Sequence, residues 1–166
     1  MRLKILSLFI LLSTLSSFSQ NQKNLESISY VKLDFKHSSR IPYNTVVVEI
    51  FKKHSKIILN LTSKTSETKD IKWAYSNKSK TYEITPEDYN MLLQKVTKID
   101  YLDIAMYFDY FTLDGYTTSI TYGGNWNNVS YTLGGPFKQD EAGSLNYFSA
   151  CRYILKLAEL NPKEIL

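Results

Sequence analysis

Alternation of apolar and polar residues dominates the first half of the chain. In Ser29-Tyr30-Val31-Lys32-Leu33-Asp34-Phe35, the residues Val31, Leu33 and Phe35 fall on one face, as in a half-buried strand. Thr45-Val46-Val47-Val48-Glu49-Ile50-Phe51 is rich in β-branched residues that suit a pleated surface. After the polar turn Lys52-Lys53-His54-Ser55, the run Ile57-Ile58-Leu59-Asn60-Leu61-Thr62 reads as its hairpin partner. Ile71 to Ser76 and Thr81 to Thr85 predict a second hairpin around Asn77-Lys78-Ser79-Lys80.

The period then lengthens. Thr85-Pro86-Glu87-Asp88 supplies a capping hydroxyl, a proline at the first helical position and two carboxylates near the positive end of the helix dipole. Tyr89, Leu92, Leu93 and Val96 follow at helical spacing, so a helix from Pro86 to about Lys98 turns one apolar stripe toward a sheet. Ile99 to Gly115 is dense in aromatics and Asp and shows no clean period. Next comes a hairpin in which Tyr116, Thr118, Ile120 and Tyr122 face one way and Thr117, Ser119 and Thr121 the other. Its return strand sends Val129, Tyr131 and Leu133 to one side and Ser130 and Thr132 to the other. One face is apolar and one hydroxylated, so the sheet is covered on a single side. A last helix runs from about Glu141 or Ser144 to Leu160, with Asn161-Pro162 as its stop. The expected fold is α+β: an antiparallel sheet of about six to seven strands with two helices packed on one face.

The first nineteen residues stand apart. Arg2 and Lys4 precede a short apolar run, and Ser17 and Ser19 supply small residues before a cut, the three regions of a secretory signal peptide. The run falls short of the ~20 residues that span a bilayer. The expected organisation is a signal peptide over 1–19 cleaved near Ser19, a flexible start over 20–26, and one domain over 27–166. The mature chain is then periplasmic or secreted, with no stable membrane anchor. Export changes the meaning of Cys151: the expectation is a buried, inert thiol on a helix.

Charge is unevenly spread. Gln20 to Lys80 holds twelve cations and five acids, whereas Thr81 to Leu166 holds six cations and eleven acids. Two opposite fields on one domain partly cancel. The alternative is a basic surface for an acidic partner. Dispersed cations, export and the lack of any zinc-finger or RNP-type motif argue against nucleic acid.

Machinery for bond-making is sparse. There is no G-x-S-x-G elbow, and His37 and His54 both sit in polar loops. Gly123-Gly124 and Gly134-Gly135 mark hairpin ends and do not continue into a phosphate-binding motif. No cofactor is expected. Asp109 and Asp114 are the candidates for calcium or for acid/base work, but the alternating calcium-loop order is missing. Trp126 leads the binding candidates. It lies at the tip of a Gly/Asn-rich hairpin between Asn125 and Asn127, and Tyr110 and Tyr116 extend the possible surface. Aromatic rings beside amide donors suit protein or sugar recognition, and the alternative is a ring folded back over the core edge.

From about Thr85 to Leu160 the layout resembles small exported bacterial domains of unknown function. The residues carrying this are Thr85-Pro86-Glu87-Asp88, Asp114-Gly115-Tyr116 and Ile154-Leu155-Lys156-Leu157-Ala158. The resemblance implies a capped helix, an Asp-Gly-started hairpin and a C-terminal helix, and supplies no catalytic residues. The expected function is an exported, non-enzymatic binding module for a protein or glycan partner, in one version an immunity or inhibitor protein. The alternatives are a secreted hydrolase using Asp carboxylates and an envelope structural component. An acidic cleft would favour the enzyme, and a flat basic or aromatic patch would favour binding.

Overall fold

A computed structural model describes residues 25, 27–38, 42–66, 71–105, 115–124, 126–134 and 146–166, apart from the side chains of Ile71 and Asp103. The proposed signal segment, and the expected start of the last helix before Asn146, lie outside them.

Six strands form one antiparallel sheet: β1 (Tyr30–His37), β2 (Thr45–Lys53), β3 (Lys56–Lys64), β4 (Lys78–Glu83), β5 (Tyr116–Gly123) and β6 (Asn128–Gly134). Their order is β4-β3-β2-β1-β5-β6, so the first strand lies inside the sheet. Helix α1 (Pro86–Val96) follows β4, and α2 (Tyr101–Ala105) is a short turn of helix after it. Helices α3 (Asn146–Leu157) and α4 (Pro162–Ile165) close the chain. This is the α+β architecture expected, with six described strands.

Strands β1, β2, β3 and β5 bury alternate residues against α1 and α3. Val31, Leu33 and Phe35 of β1, Val46, Val48 and Ile50 of β2, and Leu59 of β3 are buried in the same cluster as Leu92, Val96, Ile154 and Leu155. Buried tyrosine hydroxyls tie helix to sheet: Tyr89 donates to the Ile28 carbonyl at 2.9 Å and Tyr147 to that of Thr118 at 2.7 Å. The Thr85 hydroxyl accepts the Asp88 N–H at 3.1 Å, the cap that the sequence announces. Helix α3 ends in a Schellman turn: Glu159 takes φ 55°, and the Leu160 N–H reaches the Leu155 carbonyl at 2.9 Å.

One expected hairpin is different. Ile71–Ser76 is a 3₁₀ turn, and β4 pairs with β3 instead. The Ser76 hydroxyl, fully buried, contacts the carbonyls of Pro42 and Trp73, and the Asn77 N–H returns to Ala74 at 3.1 Å. Local hydrogen bonds thus claim the groups that a strand would offer a neighbour. Helix α1 stops at Val96, two residues early, where the Thr97 hydroxyl bonds back to the Leu93 carbonyl.

Candidate functional site

The face of the sheet opposite α1 and α3 is built by the other half of each alternation. Strand registers align these outward residues in rows across the molecule. One row runs Thr81, Asn60, Glu49, Lys32, Thr121, Ser130, through all six strands. The next runs Ser79, Thr62, Val47, Asp34, Ser119, Thr132. Toward the β5–β6 hairpin tip the row is more apolar, with Ile58, Phe51 and Tyr30 side by side. The face is polar but organised.

Neighbours within a row bond to each other. Thr81 donates to the Asn60 side chain at 2.8 Å, Thr121 and Ser130 share a hydrogen bond of 2.9 Å, and Ser119 and Thr132 one of 2.8 Å. Charges interleave along β1. Lys32 Nζ stands 3.7 Å from Asp34 and 4.0 Å from Glu49, and Lys36 Nζ stands 4.0 Å from Asp34 Oδ1. That carboxylate oxygen is buried and accepts no hydrogen bond. The Tyr30 hydroxyl donates to Glu49 at 3.2 Å. Burial, then the Glu49 carboxylate, push its pKa up to about 12, so it remains a donor at neutral pH.

Between β1, β5 and β6 the face dips into a trough of about 250 Å³ lined by Lys32, Asp34, Lys36, Thr117, Ser119, Thr121 and Ser130. Gly134 lies opposite Thr117 and brings no side chain, so among the described residues that corner is open.

The residues singled out from the sequence are only partly brought together. Trp126 is 94% exposed, so its ring stands in solvent and does not fold back over the core. Asn127 is exposed beside it and its carbonyl accepts the Gly124 N–H at 3.0 Å, closing the hairpin tip. Glycine is required here: a Cβ on Gly123 would meet the Asn127 carbonyl oxygen at 2.1 Å. Tyr116 begins β5, at the far end from this tip, and its ring is buried against Phe35 at 5.5 Å between centroids. It therefore shares no surface with Trp126. Asn125, Tyr110, Asp109 and Asp114 lie outside the described residues.

The two histidines are kept apart. His37 ends β1 beside the start of β2, and His54 follows the end of β2, so the nine-residue strand separates them by about 30 Å. Cys151 is fully buried on α3, as expected, and loss of hydration holds its thiol pKa far above the usual range. Among the described residues, no three His, Cys, Asp or Glu side chains are grouped to hold a metal, and no helix is long and apolar enough to cross a membrane.

No local sequence pattern marks the trough. Lys32, Asp34 and Lys36 are visible as outward positions of β1, and Thr117, Ser119 and Thr121 as the hydroxylated side of β5. Nothing local says that these strands are neighbours. No protein-family model matches the chain, and no curated protein matches it.

Proposed function

We propose that this chain is an exported, non-enzymatic binding module that meets its partner with the uncovered face of its sheet. One observation carries the reading. On a face that no described helix covers, outward residues of all six strands form continuous rows, and these hold their donors, acceptors and charges in fixed mutual positions. Such preorganisation lowers the cost of ordering side chains on association. The exposed Trp126 extends the surface at the hairpin tip, where a rigid aromatic adds contact area. Export is supported by the cation, apolar-run and small-residue pattern of the first nineteen residues.

The test compares two arginine or lysine substitutions on opposite sides of the sheet. Ser130→Arg fills the open-face trough, whereas Glu87→Lys alters the outer surface of α1. Immobilised mature chains of each kind are exposed to envelope extracts at moderate salt. Retention by the wild type and by Glu87→Lys, with loss in Ser130→Arg, is the expected result. Equal retention by Ser130→Arg refutes the open face as the binding surface.

A further inference from the structure

We infer that the trough between β1, β5 and β6 seats one pyranose unit of a neutral glycan whose chain runs along β1. This rests on the open-face reading and names its partner class. The hydrogen-bonding inventory comes first. Asp34 is acceptor-only; its Oδ1 is buried out of a ligand's reach, whereas its Oδ2 is not among the buried atoms and stands 3.7 Å from the Lys32 ammonium, beyond hydrogen-bond length. The hydroxyl pairs Ser119–Thr132 and Thr121–Ser130 each use one donor internally. Each pair therefore keeps one O–H and spare lone pairs for a ligand. Lys32 and Lys36 add donors only. A ligand must thus donate to a carboxylate and accept from ammonium groups and hydroxyls within one small space. Vicinal ring hydroxyls do both.

Charge narrows the class further. The ammoniums of Lys32 and Lys36 are balanced by Asp34 and Glu49, all within 4.0 Å of a partner. An anionic ligand would bring charge against Asp34, and a cationic one against two lysines. An uncharged polyol meets neither penalty.

Size and shape agree. The trough of about 250 Å³ lies below the ~300–1,000 Å³ of sites that enclose a drug-sized ligand. It suits a single ring and leaves the rest of the chain above the surface. Among the described residues its Thr117 end is open, because Gly134 carries no side chain. Past Lys32, the half-buried rings of Tyr30 and Phe51 sit side by side, about 7 Å further along the strands. They offer the apolar face that the C–H side of a following sugar unit requires.

The experiment titrates ¹⁵N-labelled mature chain with cellohexaose, maltohexaose, xylohexaose and chitohexaose, and with hexagalacturonate as an anionic comparison. The expected result is saturable shifts of the Asp34, Ser119 and Thr121 amides with at least one neutral hexasaccharide at millimolar concentration. Asp34→Ala should weaken that binding roughly tenfold, the loss expected for a charge-assisted hydrogen bond. Thr121→Val, nearly equal in shape, should weaken it by a smaller factor. Thermal melts confirm that both variants fold. Stronger binding of hexagalacturonate, or binding unchanged in both variants, overturns the inference. If no saccharide moves these amides while Ser130→Arg still abolishes envelope capture, the glycan is wrong, the binding face stands and the partner is a protein. If capture is also indifferent to Ser130→Arg, both readings fall.

Discussion

The β2–β3 hairpin offers a quantitative test of the backbone. Lys53 pairs with Lys56, leaving the two-residue loop His54-Ser55. His54 has φ 58°, and Ser55 is not among the residues of positive φ. A two-residue hairpin with positive φ only at its first central position is a type II′ turn, which favours glycine there. Histidine pays a steric penalty in that region of about 1–2 kcal/mol because its Cβ crowds the following carbonyl. Its imidazole is exposed, so His54→Gly removes no buried contact. Against the relief stands the greater freedom of glycine in the unfolded chain, roughly 0.5–1 kcal/mol. The difference spans about 0–1.5 kcal/mol with a midpoint near ~0.75 kcal/mol, which corresponds to a rise in Tm of roughly 1–4 °C for a chain of this length. His54→Val should move the opposite way, since a β-branched residue tolerates positive φ least. Differential scanning calorimetry of the purified protein, with urea melts to check that the m-value is constant, reads both. A lowered Tm for His54→Gly together with an unchanged one for His54→Val would refute the turn assignment.

Three further outcomes are expected. Cys151 should resist dithionitrobenzoate in the native protein and react fully in urea, because its thiol is buried and held protonated; rapid native labelling would contradict its place in the core. Burial pushes the Tyr89 hydroxyl up to about 12 from 10.0. Its contribution to stability is thus complete below pH 10 and is lost as pH rises through about 12, so urea midpoints should fall steadily over that window, with a shallower fall in Tyr89→Phe. N-terminal sequencing of protein recovered from the extracytoplasmic fraction should give Gln20 as the first residue, and an uncleaved cytoplasmic chain would refute export.

Strands with strict alternation were legible from the residues alone. Val31, Leu33 and Phe35 declare the buried face of β1, and Tyr116, Thr118 and Ile120 that of β5. The capped start of α1 was equally plain, because Thr85 and Pro86 act within a few residues. Ile71–Ser76 misled because Trp73 and Tyr75 imitate a strand, while Ser76 makes the contacts that bend the segment. The true partner of β3, Lys78–Glu83, carries five polar residues, and only Tyr82 joins the core margin. A lysine-rich edge strand of that kind protects a sheet from pairing with other chains, at the expense of a readable pattern. The trough was illegible for another reason. Its walls come from β1, β5 and β6, and the pairing of β1 with the distant β5 leaves no mark in either one.

The interior position of β1 governs the order in which the molecule can assemble. Strands β1 to β4 form a meander from neighbouring sequence, yet Leu33 must wait for Ile120, 87 residues downstream, to complete its other side. Closing an unstructured loop of that size costs about 3 kcal/mol more than closing the β2–β3 hairpin. A nascent chain that ends before Tyr116 therefore exposes one hydrogen-bonding edge of its most apolar strand pair, a template for association with other copies. For this protein the β5–β6 hairpin is the seal as well as a wall of the trough, so truncations before it should aggregate.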